Sequence, residues 1–131
     1  MNGQIKRNTA ALVSIRRLVR EKMPYANSAI TFDLILALMS AYEANEELTI
    51  QELFFRAGHS SMGIRYHFND LIKDEWIGIS RDLQDQRIKR PYPTEKLLNS
   101  ISELLEELQK LGITSANSSA PEYESDRKSV V

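Results

Sequence analysis

Apolar residues recur at helical spacing along most of the chain. From about Thr9 to Met23, the side chains of Leu12, Ile15, Val19 and Met23 fall on one stripe, widened by Val13 and Leu18. Arg16, Arg17, Arg20 and Lys22 lie off that stripe. Pro24 stops this helix, because its ring cannot follow a helical residue. Asn27 or Ser28 can cap a second helix that reaches about Ala44. Ile30, Leu34, Ala37, Leu38 and Ala41 make one face of it, and Phe32, Ile35, Leu36 and Met39 make it apolar almost all round. Such a helix is the buried centre of a small domain.

Thr49 can cap a short helix from Ile50 to about Ala57, and Gly58 stands where a left-handed residue closes a helix. Ser60 opens another helix, in which Ile64, Phe68, Leu71 and Ile72 recur at i, i+4, i+7 and i+8. Two helices joined by this short glycine link have the dimensions of a helix-turn-helix. Trp76, Ile77 and Ile79 then read as extended, Asp82 to Arg87 as a polar turn, and Ile88 to Tyr92 as a returning strand, which together make a wing. Pro91 and Pro93 suit that strand to a sheet edge. The last helix runs from Thr94 to Leu111. Its Leu97, Ile101, Leu104, Leu108 and Leu111 are spaced 4, 3, 4, 3, a strict a/d seam, and Leu98 and Leu105 widen it before Gly112 ends the helix. From Ile113 to Val131 the chain is rich in Ser, Asn, Pro and charge, without periodicity, and reads as a disordered tail. The predicted fold is mainly α with a small β-wing: a winged helix-turn-helix in one domain over residues 1–112.

The chain of 131 residues is the size of one domain, and with 42% apolar residues it can hold one core. It contains no cysteine, which excludes disulfides, thiolate metal sites, a cysteine nucleophile and a thiol sensor. The longest apolar run, Leu34 to Met39, is far short of the roughly 20 residues a membrane span needs. No apolar run follows Lys6 and Arg7, so the N-terminus does not read as a signal peptide. A soluble cytoplasmic protein is expected. The net charge of −1 excludes a uniformly basic coat, but the charge is uneven. Residues 1–22 balance at +5, 23–55 at −5, 56–96 at +2 and the remainder at −3.

At residues 48–96 the sequence resembles the MarR family of prokaryotic transcriptional regulators. Leu48-Thr49-Ile50-Gln51-Glu52-Leu53 is similar to the start of the family's first helix-turn-helix helix, Gly58 sits at its turn, and Ser60 matches the usual cap of the recognition helix. Asp82-Leu83-Gln84-Asp85-Gln86-Arg87-Ile88-Lys89-Arg90 resembles the family's acidic–basic wing, with Asp85 and Arg87 on its Asp-x-Arg. Tyr92-Pro93-Thr94-Glu95-Lys96 resembles the start of its C-terminal dimerisation helix. Where members commonly carry Ser or Thr in the first turn of the recognition helix, this chain has Met62 and Gly63.

The resemblance implies a DNA-binding lobe over about residues 27–93 and dimerisation helices over about 9–23 and 94–111. It implies a homodimeric repressor that reads a pseudo-palindrome in double-stranded DNA, with the recognition helix (about 60–74) in the major groove and the wing (about 80–92) in the minor groove. The candidate base-reading residues are Ser60, Ser61, Met62, Arg65, Tyr66 and Asn69, with Gly63 allowing close backbone approach. Arg65 suits guanine and Asn69 adenine through bidentate contacts. Arg87 is placed to enter the minor groove, oriented by Asp85, while Arg81, Lys89 and Arg90 are candidate phosphate contacts. The candidate dimer seam is Leu12, Ile15 and Val19 with Leu97, Ile101, Leu104, Leu108 and Leu111, and the alternative for the α-helical a/d stripe is packing within the chain's own domain, which needs apolar helices at this size. The family's members often release DNA when a small, commonly aromatic molecule binds between the dimerisation helices and the DNA-binding lobe; no residue here matches such a pocket, so a small-molecule effector is left open and unassigned.

Catalysis is not expected. His59 and His67 are eight residues apart with no spaced partner for a metal; His59 reads as a surface residue and His67 as packed at a helix flank. No glycine-rich phosphate loop, nucleophile elbow or paired-carboxylate constellation is present, and neither a cofactor nor a metal is implied. The alternative to DNA binding is a winged-helix module that binds protein.

Overall fold

The computed structural model describes residues 2–23 and 28–112, with side chains from residue 8 onward except that of Ser61. Pro24 and Asn27, expected as a helix stop and a cap, and the expected tail at 113–131 lie outside the described residues. The order of elements is α1 Asn2–Lys22, α2 Ala29–Glu43, α3 Ile50–Ala57, α4 Ser61–Lys73, β1 Ile77–Arg81, β2 Lys89–Pro93 and α5 Glu95–Lys110. This is the mainly α arrangement with a β-wing that the periodicity predicts.

The helix ends follow from local chemistry. Ser28 caps α2 by accepting from the Thr31 N–H at 3.3 Å. At α3 a full capping box forms: the Glu52 N–H donates to Thr49 Oγ1 at 3.1 Å, and the Thr49 N–H donates to Glu52 Oε1 at 2.8 Å. Gly58 closes α3 at φ +77°, a left-handed conformation that costs a side-chain-bearing residue about 1 kcal/mol or more. Thr94 caps α5 through the Leu97 N–H. α1 begins at Asn2, well before the expected Thr9. Its first two turns precede the apolar stripe, so periodicity does not mark them.

The core forms around α2, whose Leu34 and Ile35 are fully buried, and it gathers Leu53 from α3, Ile64 and Leu71 from α4, Ile77 from β1 and Leu97 from α5. α2 packs on α3, α4 and β2, and α1 packs on α5. That last contact corrects the expected dimer seam. Val19, Leu97, Leu104 and Leu108 are buried within a single chain, and Ile15 and Ile101 pack half-buried on the same core. The apolar face of α5 is covered largely by the chain's own helices. Of the eight seam candidates, only Leu12 (66% exposed) and Leu111 (50%) stay open.

β1 and β2 pair antiparallel, with Ile77 opposite Pro93, Ile79 opposite Pro91 and Arg81 opposite Lys89. Beyond the two ends, Asp82 N–H donates to Ile88 O and Thr94 N–H to Trp76 O. The ladder bonds therefore belong to the even-numbered β1 residues, and both prolines sit at positions whose N and C=O turn away from the partner strand. That is how a strand with two prolines pairs at all.

Candidate nucleic-acid interface

α3 and α4 are joined across the turn by the edge-to-face rings of Phe54 and Phe68, with centroids 5.1 Å apart. The turn is also tied to α2. His59 Nε2 lies 2.6 Å from Asp33 Oδ2 with the imidazole half-buried, so His59 is a structural partner of α2 and not the surface residue the sequence suggests. His67 packs at the helix flank, as expected, with Nδ1 3.3 Å from the hydroxyl of buried Thr31.

These contacts fix which face of α4 looks outward. Ile64, Phe68 and Leu71 turn into the core, leaving Met62 (85% exposed), Tyr66 (67%), Arg65 and Asn69 on one open face, where they line a shallow recess of about 390 Å³. The Arg65 guanidinium carbon sits 5.5 Å from the centre of the Phe54 ring, which anchors the stem while the side chain stays exposed. Gly63 takes another role than the one expected. A Cβ there would stand 3.3 Å from Ile30 Cδ1, so the missing side chain admits α2 and does not open the outer face. Ser60 adopts the extended cap conformation, but its hydroxyl makes no cap hydrogen bond. The side chain of Ser61 lies outside the described set.

The wing loop is built by one aspartate that the resemblance did not single out. Asp82 Oδ2 accepts the N–H groups of Gln84 (3.1 Å) and Asp85 (3.0 Å), and Oδ1 lies 3.3 Å from Arg90 Nε. The Asp85 and Gln84 amides, with Arg90, hold its carboxyl below the ordinary aspartate range. The loop then presents Asp85, whose Oδ1 accepts both the N–H and the Nε of Arg87 while Oδ2 accepts Nη2, all at 3.1 Å. The Arg87 side chain is 91% exposed, so the pair orients a cation that points into solvent. The same contacts lower the Asp85 pKa, the Arg87 side chain contributing most.

Arg90 is not the free phosphate contact expected of it. It is half-buried, and its Nη1 donates to the Glu47 carbonyl at 2.8 Å while Nε faces Asp82. It ties the wing to the α2–α3 connection. Arg81 is exposed but braces the loop through Nη1 to Gln86 O at 2.7 Å. Lys89 is exposed. Arg65, Asn69, Arg81 and Lys89 border a groove of about 460 Å³ between α4 and the wing. A helix face with hydrogen-bonding and apolar groups, a basic groove beside it and a cation on a projecting loop together suit an extended polyanion. Among the described residues, no cluster of His, Asp or Glu could hold a metal ion, and no helix is long and apolar enough to cross a membrane.

No protein-family model matches the chain's sequence, and no curated protein sequence does either. Solved structures do match it in three dimensions. A variant of MepR from a multidrug-resistant S. aureus clinical isolate aligns with TM-score 0.63 at 12% identity, over 99% of this chain and 94% of that one. An S. aureus MepR variant bound to an oligodeoxyribonucleotide aligns with TM-score 0.59 at 13% identity, over 99% and 95%. The transcriptional regulator PA4135 aligns with TM-score 0.57 at 15% identity, over 82% and 74%. At these identities the likeness is one of architecture: the chain has the winged-helix fold of MarR-type transcriptional regulators.

Proposed function

We propose that this protein is a sequence-specific, double-stranded DNA-binding transcriptional regulator of the MarR family, a homodimeric repressor acting on the nucleoid in the cytoplasm. The observation that carries the reading is the outward face of α4, with Met62, Arg65, Tyr66 and Asn69 exposed together beside a wing that projects Arg87. α4 enters the major groove, Arg65 and Asn69 meet base edges, and Arg87 reaches the minor groove. Lys89 and Arg81 are left to meet phosphates, and Arg90 shapes the wing instead. Homodimerisation uses what the core leaves open: Leu12 and Val13 on α1, with Leu105 and Leu111 at the C-terminal end of α5. Two copies then read half-sites about one helical turn apart. The protein works by binding and not by catalysis.

Selection from a pool of random duplexes tests the reading. Enrichment of a pseudo-palindrome, lost on changing Arg65 and Asn69 together to Ala, is expected. A pool that shows no enrichment would overturn it and leave a winged-helix module for protein partners.

A further inference from the structure

The open face of α4 carries an apolar end that hydrogen-bond readout does not use. Met62, Arg65, Tyr66 and Asn69 recur at i, i+3, i+4 and i+7, which sets them on one stripe of the helix, and they border a single recess. Arg65 and Asn69 bring the donors and acceptors that meet base edges. Met62, in the first turn, instead holds out a thioether with 85% of the residue exposed.

Its neighbours explain why it stays out. Gly63 packs so closely on α2 that a Cβ would stand 3.3 Å from Ile30 Cδ1, and Ile64 is fully buried in the core behind it. The start of α4 is therefore held against α2, and Met62 cannot turn inward without displacing one of these contacts. Arg65 lies over the Phe54 ring. The Tyr66 ring stands edge-on to His67, with centroids 5.4 Å apart, and His67 in turn meets the Thr31 hydroxyl. Beside these placed side chains, Met62 is the unbranched, adaptable one, able to settle on the surface that the helix meets.

The chemistry of that surface follows from what a thioether can do. It donates no hydrogen bond and accepts only weakly. Pressed on a purine N7, a carbonyl or an exocyclic amine, it would strip water from that group and return nothing. Among the groups that base pairs present in the major groove, the C5-methyl of thymine is the apolar one. We propose that Met62 is a specificity-determining residue that reads a thymine methyl, so that each half-site carries a T·A pair beside the pairs met by Arg65 and Asn69. This role rests on α4 being the recognition helix, and it adds a base preference that a Ser or Thr in the same turn would not supply.

Deoxyuridine tests the assignment, because it removes the methyl group and keeps every hydrogen-bonding group of thymine. In the duplex selected from the random pool, each thymine is replaced singly by deoxyuridine, and affinity is measured by fluorescence anisotropy at low salt, where phosphate contacts keep weakened complexes measurable. One thymine in each half-site should cost the intact protein about 4-fold on replacement, the worth of one buried methyl group. Met62→Gln keeps the length and the helix propensity at an exposed position, so its circular dichroism should be unchanged. In that variant the same replacement should cost less than about 2-fold. Asn69→Ala, on the same face, should bind more weakly yet keep the full uracil penalty. A duplex that binds but is indifferent to every deoxyuridine, a penalty undiminished in Met62→Gln, or a penalty lost equally in Asn69→Ala would each overturn the role of Met62 and leave the DNA-binding reading standing. A random pool that yields no enriched duplex would overturn both.

Discussion

Leu97→Ala separates two uses of the same apolar seam. The a/d spacing of α5 suits a partner helix from a second chain, yet Leu97 is fully buried within one chain. Truncation to Ala removes three buried carbon atoms and leaves a cavity lined by the surrounding core. For such sites the loss is about 3–5 kcal/mol, a large share of the roughly 5–15 kcal/mol that holds a domain folded. Leu12, on the α1 stripe, is 66% exposed, so Leu12→Ala should change the folding free energy of a chain by less than about 0.5 kcal/mol. Urea unfolding followed by circular dichroism measures both. With m of about 1–3 kcal/mol/M, Leu97→Ala should move the midpoint down by roughly 2 M with m unchanged. The shift relative to the parent protein should be the same at each protein concentration, because the contact is internal to one chain. A loss below about 1 kcal/mol for Leu97→Ala, or a loss that shrinks on dilution, would show that the seam is completed by a second copy and that its burial here has been misassigned.

Three further outcomes are expected. Gly78→Ala places a Cβ among Cζ, Cε2 and Oη of the Tyr92 ring on the neighbouring strand, forcing the ring off the glycine; it should destabilise by about 1 kcal/mol in thermal unfolding, and by clearly less in a Tyr92→Ala background. Thr49→Ala removes the cap of α3 and should lower stability by about 1 kcal/mol, read from the same urea curves. The Glu52 carboxyl is held below the ordinary glutamate range by the Thr49 N–H and hydroxyl. Its lowered folded-state pKa means that its contribution is full above that range and disappears as the pH falls through and below it, so Glu52→Gln should flatten the loss of stability on acidification.

The elements that were legible in the sequence are those with chemical punctuation. Ser28, Thr49, Gly58 and Thr94 mark helix ends because a cap is a local hydrogen bond or a local φ, encoded within four residues. The outward face of α4 was legible for a similar reason, since Ile64, Phe68 and Leu71 fix its inward one. What could not be read is contact between distant segments. Arg90 and the Glu47 carbonyl are 43 residues apart, and nothing in the wing motif shows that this cation is committed to them. The His59–Asp33 pair and the packing of Gly63 on Ile30 likewise depend on α2 crossing behind the helix-turn-helix. An apolar stripe reports that something covers it, not which chain does, and so the α5 seam was assigned to a partner. Asp82 carries a signal that could have found it: an aspartate at the start of a polar turn accepts the amides two and three residues on.

The central claim is that α4 and the wing grip DNA, and fluorescence anisotropy with a labelled mixed-sequence duplex tests it most directly. The intact protein, Arg87→Ala and Arg65→Ala are titrated at low and moderate salt. The account predicts affinity that falls steeply with salt and falls further in each variant, with the folded state unchanged because both side chains are exposed. No binding even at low salt, or binding indifferent to salt and to both substitutions, would contradict it.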